Sequence, residues 1–112
     1  MAFKCKGDWD SWVGTTFPPS GDPNDGLLVI GQEEVNGKFK GKHKKDVEYN
    51  LDGECMDNPH KIHFTTTQGY TYRGDISEKE FKKKKKDVIV GTRSHTKDRK
   101  KVDEEWVAVK VT

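Results

Sequence analysis

Leucine, cysteine and long apolar runs are all scarce in this sequence of 112 residues. Its longest aliphatic run, Leu27–Ile30, has four residues, whereas a membrane helix needs about 20, so we expect no membrane segment. Leucine occurs only three times, which argues against a helical bundle, because bundles of this size rely on leucine and alanine. With 30% hydrophobic and 36% charged residues, the chain is expected to form a single domain over residues 1–112 with a small core.

Glycine and aromatic residues are plentiful by contrast. The chain has 11 glycines, three tryptophans and eight phenylalanines or tyrosines, a composition typical of short strands joined by tight turns. Asn36-Gly37 suits a type I′ hairpin turn, and the alternation that follows it places Phe39 and His43 on the inward face. The same alternation predicts strands at 9–15, 27–34, 38–43, 47–52, 61–66, 70–76, 88–90 and 106–111.

These eight predicted strands follow one another at near-regular spacing, with no helical period between them. A chain of sequential hairpins removes its exposed edges by closing on itself. We therefore predict an all-β fold, an eight-stranded antiparallel up-and-down β-barrel, with a β-sandwich as the alternative. The polar segment 94–103 is expected to be a loop between the last two strands. A barrel of this strand number has room for one small ligand.

The two cysteines, Cys5 and Cys55, fit no zinc-binding or redox spacing. In a chain of this length they form either one disulfide or two free thiols, and the sequence leaves both open. No signal-peptide pattern opens the sequence, and the compartment stays unknown. His60 and His63 lie on opposite faces of a strand, so we expect no metal site.

Basic residues are concentrated in the second half of the chain, although the net charge is only +2. Such a cluster either binds polyanions, such as sulfated glycans or nucleic acid, in a salt-sensitive manner, or it is a solvated hairpin tip that keeps sheet edges apart. The sequence permits both interpretations. The residues of this predicted basic surface are Lys82, Lys83, Lys84, Lys85, Lys86, Arg99, Lys100 and Lys101.

Several short motifs, taken in their order along the chain, resemble those of the avidin and streptavidin family. Gly7–Thr15 is similar to the family's opening Gly-x-Trp strand, and Gly37–His43 is similar to its Gly-x-Phe-x-Gly strand. The further matching motifs are Leu51-Asp52-Gly53, Tyr72-Arg73-Gly74, Arg93 and Asp103–Trp106. The resemblance implies a streptavidin-like barrel, a homo-oligomer (dimer or tetramer), secretion, a biotin-type pocket at one open end, and neither catalysis nor a cofactor.

The resemblance also implies a set of ligand-binding residues. The family's hydrogen-bond donors to the ureido oxygen of biotin correspond to Ser11, Thr15 and His43, which the strand alternation also turns inward. The remaining predicted ligand-binding residues are Thr66, Tyr70, Tyr72, Val90 and Trp106. Because Thr66 and Val90 stand where the family has aromatic walls, we expect biotin, or a related small anion, to bind more weakly than in typical members.

Two further interpretations concern catalysis and assembly. Ser11 and His43 resemble a nucleophile and its base, but no carboxylate is predicted on their face to orient the imidazole. We therefore predict that the protein is not an enzyme. The predicted strand 106–111 is apolar on both faces, which is typical of a strand that packs subunits together.

Overall fold

The computed structural model of the protein describes residues 5–31, 36–57 and 60–111. Eight antiparallel strands form a closed, barrel-like ring in which each strand pairs with the next and the last pairs with the first. The predicted all-β barrel is therefore confirmed. No helix of the described residues is long and apolar enough to cross a membrane. The strands are β1 (Gly7–Val13), β2 (Leu27–Ile30), β3 (Lys38–Lys44), β4 (Glu48–Asp57), β5 (His60–Thr66), β6 (Thr71–Phe81), β7 (Lys84–Lys97) and β8 (Lys100–Lys110).

Alternation along the strands fills the interior of the barrel with large side chains. Trp9, Phe39, Phe64, Tyr72 and Trp106 are all buried there. The ring of Phe64 stacks on that of Tyr72 with centroids 4.7 Å apart, and the ring of Trp106 meets Tyr72 edge-on at 4.9 Å. A continuous aromatic core thus compensates for the small number of aliphatic residues.

The last two hairpins are longer than the sequence predicted. The expected loop at 94–103 is mostly paired backbone, since β7 extends to Lys97 and β8 begins at Lys100. Polar residues of low strand propensity are held there by cross-strand pairing. The turn residues Lys82-Lys83 and Asp98-Arg99 all have positive φ, as a type I′ turn requires.

The first two predicted strands are shorter in the structure. β1 ends at Val13 instead of residue 15, and β2 ends at Ile30 instead of residue 34. Residues 32–35 lie outside the described residues, so the turn type predicted for Asn36-Gly37 stays a prediction. Gly37 does have a positive φ of 82°, which such a turn needs.

One end of the barrel is closed by a disulfide between Cys5 and Cys55, whose Cα atoms lie 6.1 Å apart. Both cysteines are buried, and the indole Nε1 of Trp9 donates to the carbonyl of Cys5 at 2.8 Å. Of the two alternatives that the sequence left open, the structure therefore shows the disulfide. We call the region formed by Cys5, Cys55, Trp9 and Phe39 the disulfide end.

A second apolar cluster lies on the outer wall of β1, β7 and β8. Its members face away from the interior and yet are buried, because Phe17 of the β1–β2 connection and Phe81 of the β6–β7 hairpin pack over them. The apolar outward face of β8 is thus covered within a single chain. We call this cluster, formed by Trp12, Val88, Val107 and Val109, the outer cluster.

Candidate functional site

The β1–β2 connection, residues 14–26, returns into the barrel at the end opposite the disulfide end. The amide of Asp25 donates to the carbonyl of Ser11 at 2.9 Å, and the amide of Ser11 donates to the carbonyl of Gly26 at 3.0 Å. Two residues opposite one make a β-bulge, which re-aims side chains. Asp25 is accordingly directed into the barrel, where it is fully buried.

Gly26 and Asn24 fix the backbone on either side of Asp25. Gly26 has a φ of +71°, and a Cβ atom there would lie 2.2 Å from the carbonyl oxygen of Lys44, so only glycine fits. The side-chain amide of Asn24 accepts from the amide of Val13 at 2.8 Å and donates to its carbonyl at 2.9 Å. The position of the Asp25 carboxylate is therefore set by the backbone.

Side chains from four strands converge on this carboxylate. Its Oδ2 accepts hydrogen bonds from Ser11 Oγ of β1 and from the Tyr72 hydroxyl of β6, both at 2.8 Å. Its Oδ1 accepts from Arg93 Nη1 of β7 at 3.3 Å and lies 3.6 Å from His43 Nε2 of β3. We call Asp25 and these four side chains the carboxylate cluster, and the part of the barrel around it the polar end.

The imidazole of His43 also holds the backbone of Asp25. Its Nε2 lies 2.7 Å from the Asp25 carbonyl oxygen. Because a carbonyl only accepts, this contact requires the tautomer with the proton on Nε2. The Nδ1 atom of His43 is buried and has no hydrogen-bond partner among the described residues.

Further residues tie the carboxylate cluster to the barrel wall. The indole Nε1 of Trp106 donates to Ser11 Oγ at 2.8 Å. Arg93 donates to Glu104 Oε1 from Nη2 at 2.6 Å and from Nε at 3.2 Å, and its guanidinium carbon lies 4.1 Å from the ring centroid of Tyr70. The planar guanidinium is thus held between two carboxylates and an aromatic face.

Burial and neighbouring charges fix the ionisation of two members. Burial raises the pKa of Tyr72 far above its ordinary value, and the nearby Asp25 carboxylate raises it further, because an ionised phenol would face a second anion. Burial lowers the pKa of Arg93, but its hydrogen bonds to Glu104, together with the nearby Tyr72 and Asp25, outweigh this effect, so the pKa is raised overall. Tyr72 is therefore a neutral hydrogen-bond donor, and Arg93 is a permanent cation.

The structure brings four of the predicted ligand-binding residues together. Ser11, His43, Tyr72 and Trp106 are fully buried, and each contacts the carboxylate cluster or belongs to it. These four side chains meet because β1, β3, β6 and β8 each direct one of them into the interior at the same height along the barrel. The space between them is occupied by the carboxylate of Asp25.

Two predicted ligand-binding residues lie away from this point. Thr15 follows the end of β1, so strand alternation no longer sets its direction, and its hydroxyl donates to the carbonyl of Thr16 at 3.4 Å. Val90 packs against the outer cluster, because β7 turns its neighbour Ile89 into the interior. The inward positions expected for Thr15 and Val90 are thus corrected.

Thr66 and Tyr70 lie at the turn between β5 and β6, on the rim of the polar end. The amide of Thr66 donates to the carbonyl of Tyr70 at 2.9 Å. The ring of Tyr70 contacts the guanidinium of Arg93 and meets the ring of His95 edge-on at 5.1 Å. These contacts position Arg93 from the rim side.

Ser11, His43 and Asp25 do not have the geometry of a catalytic triad. The expectation that no carboxylate faces Ser11 and His43 is wrong, because the bulge brings Asp25 there. In a triad the histidine takes the proton of the hydroxyl, whereas Ser11 donates directly to Asp25 and accepts from Trp106. Within the part of the chain that the structure describes, there is also no group of three or more potential metal ligands.

A separate cleft of about 390 Å³ lies on the outer wall across β5, β6 and β7. Its lining includes Met56, Ile62, Arg73, Gly74 and Val90. The wall of the barrel separates this cleft from the carboxylate cluster.

The predicted basic residues form two patches at opposite ends of the barrel. Lys82 to Lys85 are exposed at the tip of the β6–β7 hairpin, whereas Lys86 is half-buried and its Nζ donates to the carbonyl of Val111 at 3.1 Å. Arg99, Lys100 and Lys101 are exposed in the β7–β8 hairpin, near the polar end. The basic stretch of the sequence is therefore two surfaces.

Asp25 is the site residue that the sequence did not point to. It lies in a segment, residues 7–37, that has six acids and no lysine or arginine, and it precedes a glycine just before an apolar strand. An Asp-Gly pair in that position is typical of an ordinary turn. Only the bulge opposite Ser11 reveals that Asp25 points inward.

Comparison with known proteins gives no relative for this chain. No protein-family model matches it, and neither the curated proteins nor the solved structures contain a significant match. The resemblance to avidins therefore stays a prediction from the motifs.

Proposed function

We propose that this protein is a non-enzymatic binding protein of avidin type, which holds biotin or a related small anion at the polar end of its barrel. The observation that carries the proposal is the convergence of Ser11, His43, Tyr72 and Arg93, from four strands, on one buried point. A few convergent polar groups inside an apolar wall are typical of small-molecule sites.

Asp25 lowers the affinity that we expect at this site. A ligand needs the space of its carboxylate, which makes 2.8 Å hydrogen bonds to Ser11 and Tyr72. Binding therefore requires the minor population in which Asp25 has withdrawn, and the apparent Kd rises in inverse proportion to that fraction. We expect weak binding of biotin.

Calorimetric titration of biotin, together with thermal unfolding in its presence, tests the proposal. Asp25→Asn weakens the internal ion pair with Arg93 and should strengthen biotin binding by about tenfold or more. Thr15→Ala is the matched control, since Thr15 lies outside the carboxylate cluster, and should leave binding unchanged. If neither the wild-type protein nor Asp25→Asn gives heat or a thermal shift with millimolar biotin or small acids, the proposal is rejected.

We infer a second candidate function, the binding of a polyanion, from the tip of the β6–β7 hairpin. Lys82 and Lys83 both adopt positive φ, at 51° and 67°, a conformation that costs energy for any residue other than glycine or asparagine. Both lysines are exposed, so they place positive charge at the tip, and Lys82 Nζ also lies 5.3 Å from the ring centroid of Phe81. Phe81 is the aromatic residue of this tip, and it packs against Trp12 and Phe17, which favours a sulfated glycan over stacked nucleic-acid bases.

A heparin column with a salt gradient tests this second candidate. Replacing Lys82, Lys83 and Lys84 by glutamine should lower the salt concentration at elution, because each lysine that contacts a sulfate group adds to the salt-dependent affinity. The matched control replaces Arg99, Lys100 and Lys101 by glutamine in the other hairpin. Equal effects of the two variants would indicate a response to net charge alone and contradict a site at the β6–β7 tip.

A homo-oligomer, a dimer or tetramer, belongs to the proposal of avidin type. The outward face of β8 is covered by Phe17 and Phe81, so a subunit contact has to use another face. The large apolar side chains exposed elsewhere on the described residues are Val47, Met56 and Val111. Light scattering tests this, and a monomer at micromolar concentration would contradict it.

A further inference from the structure

We propose that the carboxylate cluster is a receptor for the carboxylate of a small organic acid, and that Asp25 is its internal occupant. The ligand's carboxylate would take the place of the Asp25 carboxylate between Ser11, Tyr72, Arg93 and His43. This inference rests on the proposed function for the location of the ligand. It goes further by naming the chemical group that the site recognises.

The hydrogen bonds at Asp25 all run in one direction. Ser11, Tyr72 and Arg93 donate to its two carboxylate oxygens, and a carboxylate accepts only. The neutral phenol of Tyr72 and the guanidinium of Arg93 keep their protons under ordinary conditions, so these donors stay donors. A neutral group that carries its own N–H, such as a primary amide, would bring donors to a place that offers mainly donors.

Charge favours the same ligand class. Arg93 is 7% exposed, and its Nη1 faces Asp25 while its Nη2 and Nε face Glu104 on the rim side. Removal of the Asp25 carboxylate leaves the inner side of a buried cation without an anion, which is strongly unfavourable. An anion that enters restores the balance, whereas a neutral molecule of the same shape does not.

The receptor is built independently of the side chain that fills it. The donors are held from outside the contact with Asp25, since Trp106 donates to Ser11 and Glu104 binds Arg93. The backbone of Asp25 is held by its bond to Ser11 and by the left-handed Gly26. Shortening residue 25 therefore removes the occupant without removing a donor or a backbone contact.

Chemical rescue of two variants tests the receptor. Asp25→Ala removes the carboxyl group, a volume that matches formate, and Asp25→Gly also removes the methylene group, a volume that matches acetate. We expect formate to raise the midpoint of thermal unfolding of Asp25→Ala by several degrees, saturating in the millimolar range, and acetate to do the same for Asp25→Gly. The probes are sodium formate and sodium acetate, with formamide, acetamide and sodium chloride as neutral and ionic-strength controls.

Matched variants separate a specific site from a general effect of salt. Asp22→Ala removes an exposed carboxylate from the same connection, and neither this variant nor the wild-type protein should respond to formate. If Asp25→Ala responds to formate no more than Asp22→Ala or no more than it responds to formamide, the receptor is refuted. Should Asp25→Ala not fold by itself, its refolding yield in formate and in formamide is compared, and equal yields refute the receptor equally.

Titration of the wild-type protein distinguishes this inference from the proposed function. Rescue of the variants without any acid binding to the wild-type protein would uphold the receptor and refute the proposed function, because Asp25 would then be a permanent occupant. Binding of biotin or another acid to the wild-type protein without rescue of the variants would uphold the proposed function and refute the receptor.

Discussion

The two ends of the barrel are closed in different ways. At the disulfide end, the Cys5–Cys55 bridge joins two segments that are 50 residues apart in the chain, and the rings of Trp9 and Phe39 fill the space behind it. At the polar end, the carboxylate of Asp25 fills the equivalent space and gathers hydrogen bonds from the surrounding strands.

This difference matters for what each end can do. Apolar side chains that lose a neighbour lose only that contact, whereas every member of a buried polar network depends on the others to be satisfied. The disulfide end therefore serves as a scaffold. The polar end is selective, because only a group with the charge and acceptors of a carboxylate satisfies it.

The largest effect is expected from Asp25→Ala, which leaves Arg93 Nη1 and the hydroxyls of Ser11 and Tyr72 without their acceptor. We expect the free energy of unfolding to fall by about 3–5 kcal/mol, measured by urea unfolding followed by tryptophan fluorescence. Asp22→Ala in the same connection is exposed and should change it by about 0.5 kcal/mol at most. Similar losses for the two variants would remove the distinction between the ends.

Replacing both Cys5 and Cys55 by serine should lower the free energy of unfolding slightly less than Asp25→Ala does, by about 2–4 kcal/mol, because the bridge restricts a long loop in the unfolded chain. The measurement is again the free energy of unfolding in urea. Combined with Tyr72→Phe, the losses should add to within about 0.5 kcal/mol, since the ring of Phe64 lies between Tyr72 and Phe39 of the disulfide end. A larger deviation would show that the ends are coupled.

Tyr72→Phe removes one donor to Asp25 and should cost about 1–3 kcal/mol at neutral pH. Burial, followed by the charge of Asp25, raises the pKa of Tyr72 in the folded protein above the ordinary value of 10.0. The folded protein then keeps a proton that the unfolded chain loses. The contribution of the Tyr72 hydroxyl to the free energy of unfolding is therefore complete below pH 10 and is lost as the pH rises above it.

The stability of the wild-type protein should consequently fall more steeply above pH 10 than that of Tyr72→Phe. Asp22→Ala, at an exposed position of the β1–β2 connection, is the control and should keep the wild-type slope above pH 10. Parallel pH profiles for wild type and Tyr72→Phe would contradict the assigned environment of the phenol.

The smallest expected change in the free energy of unfolding comes from the two hairpin turns, and it should be the same in both. Lys83 and Arg99 occupy the second position of two-residue turns with φ of 67° and 63°. Lys83→Gly and Arg99→Gly should each raise the free energy of unfolding by up to about 1 kcal/mol, because glycine adopts this conformation without strain. A loss of stability in either variant would indicate that the side chain makes a contact that matters.

Much of the barrel follows from local patterns in the sequence. Alternation of apolar and polar residues predicted the order of the strands, and it turned Ser11, His43 and Tyr72 inward. The pattern failed where side chains are polar on both faces, as in 94–103, because pairing between neighbouring strands overrides the low strand propensity of such residues.

The directions of three side chains, those of Val90, Thr15 and Asp25, were less predictable. Val90 lies within an apolar strand whose two faces are both buried, so composition gives no indication of which face looks inward. Thr15 lies just past the point where β1 ends, and strand ends are the least certain feature of a sequence pattern. The position of Asp25 depends on a bulge, which shifts the alternation of inward and outward side chains by one residue. The hydrophobicity pattern of the sequence does not indicate this shift.

The sequence by itself determined an order of sequential hairpins, because turn residues and period-two alternation act over a few residues at a time. The closure of these hairpins into a ring, with a β-sandwich as the alternative, was decided by the tertiary structure. The tertiary structure alone decided that Cys5 meets Cys55, that Phe17 and Phe81 cover the outer cluster, and that Asp25 occupies the polar end. These contacts join residues far apart in the chain, so they exist only after the ring of strands has closed and brought their side chains within reach.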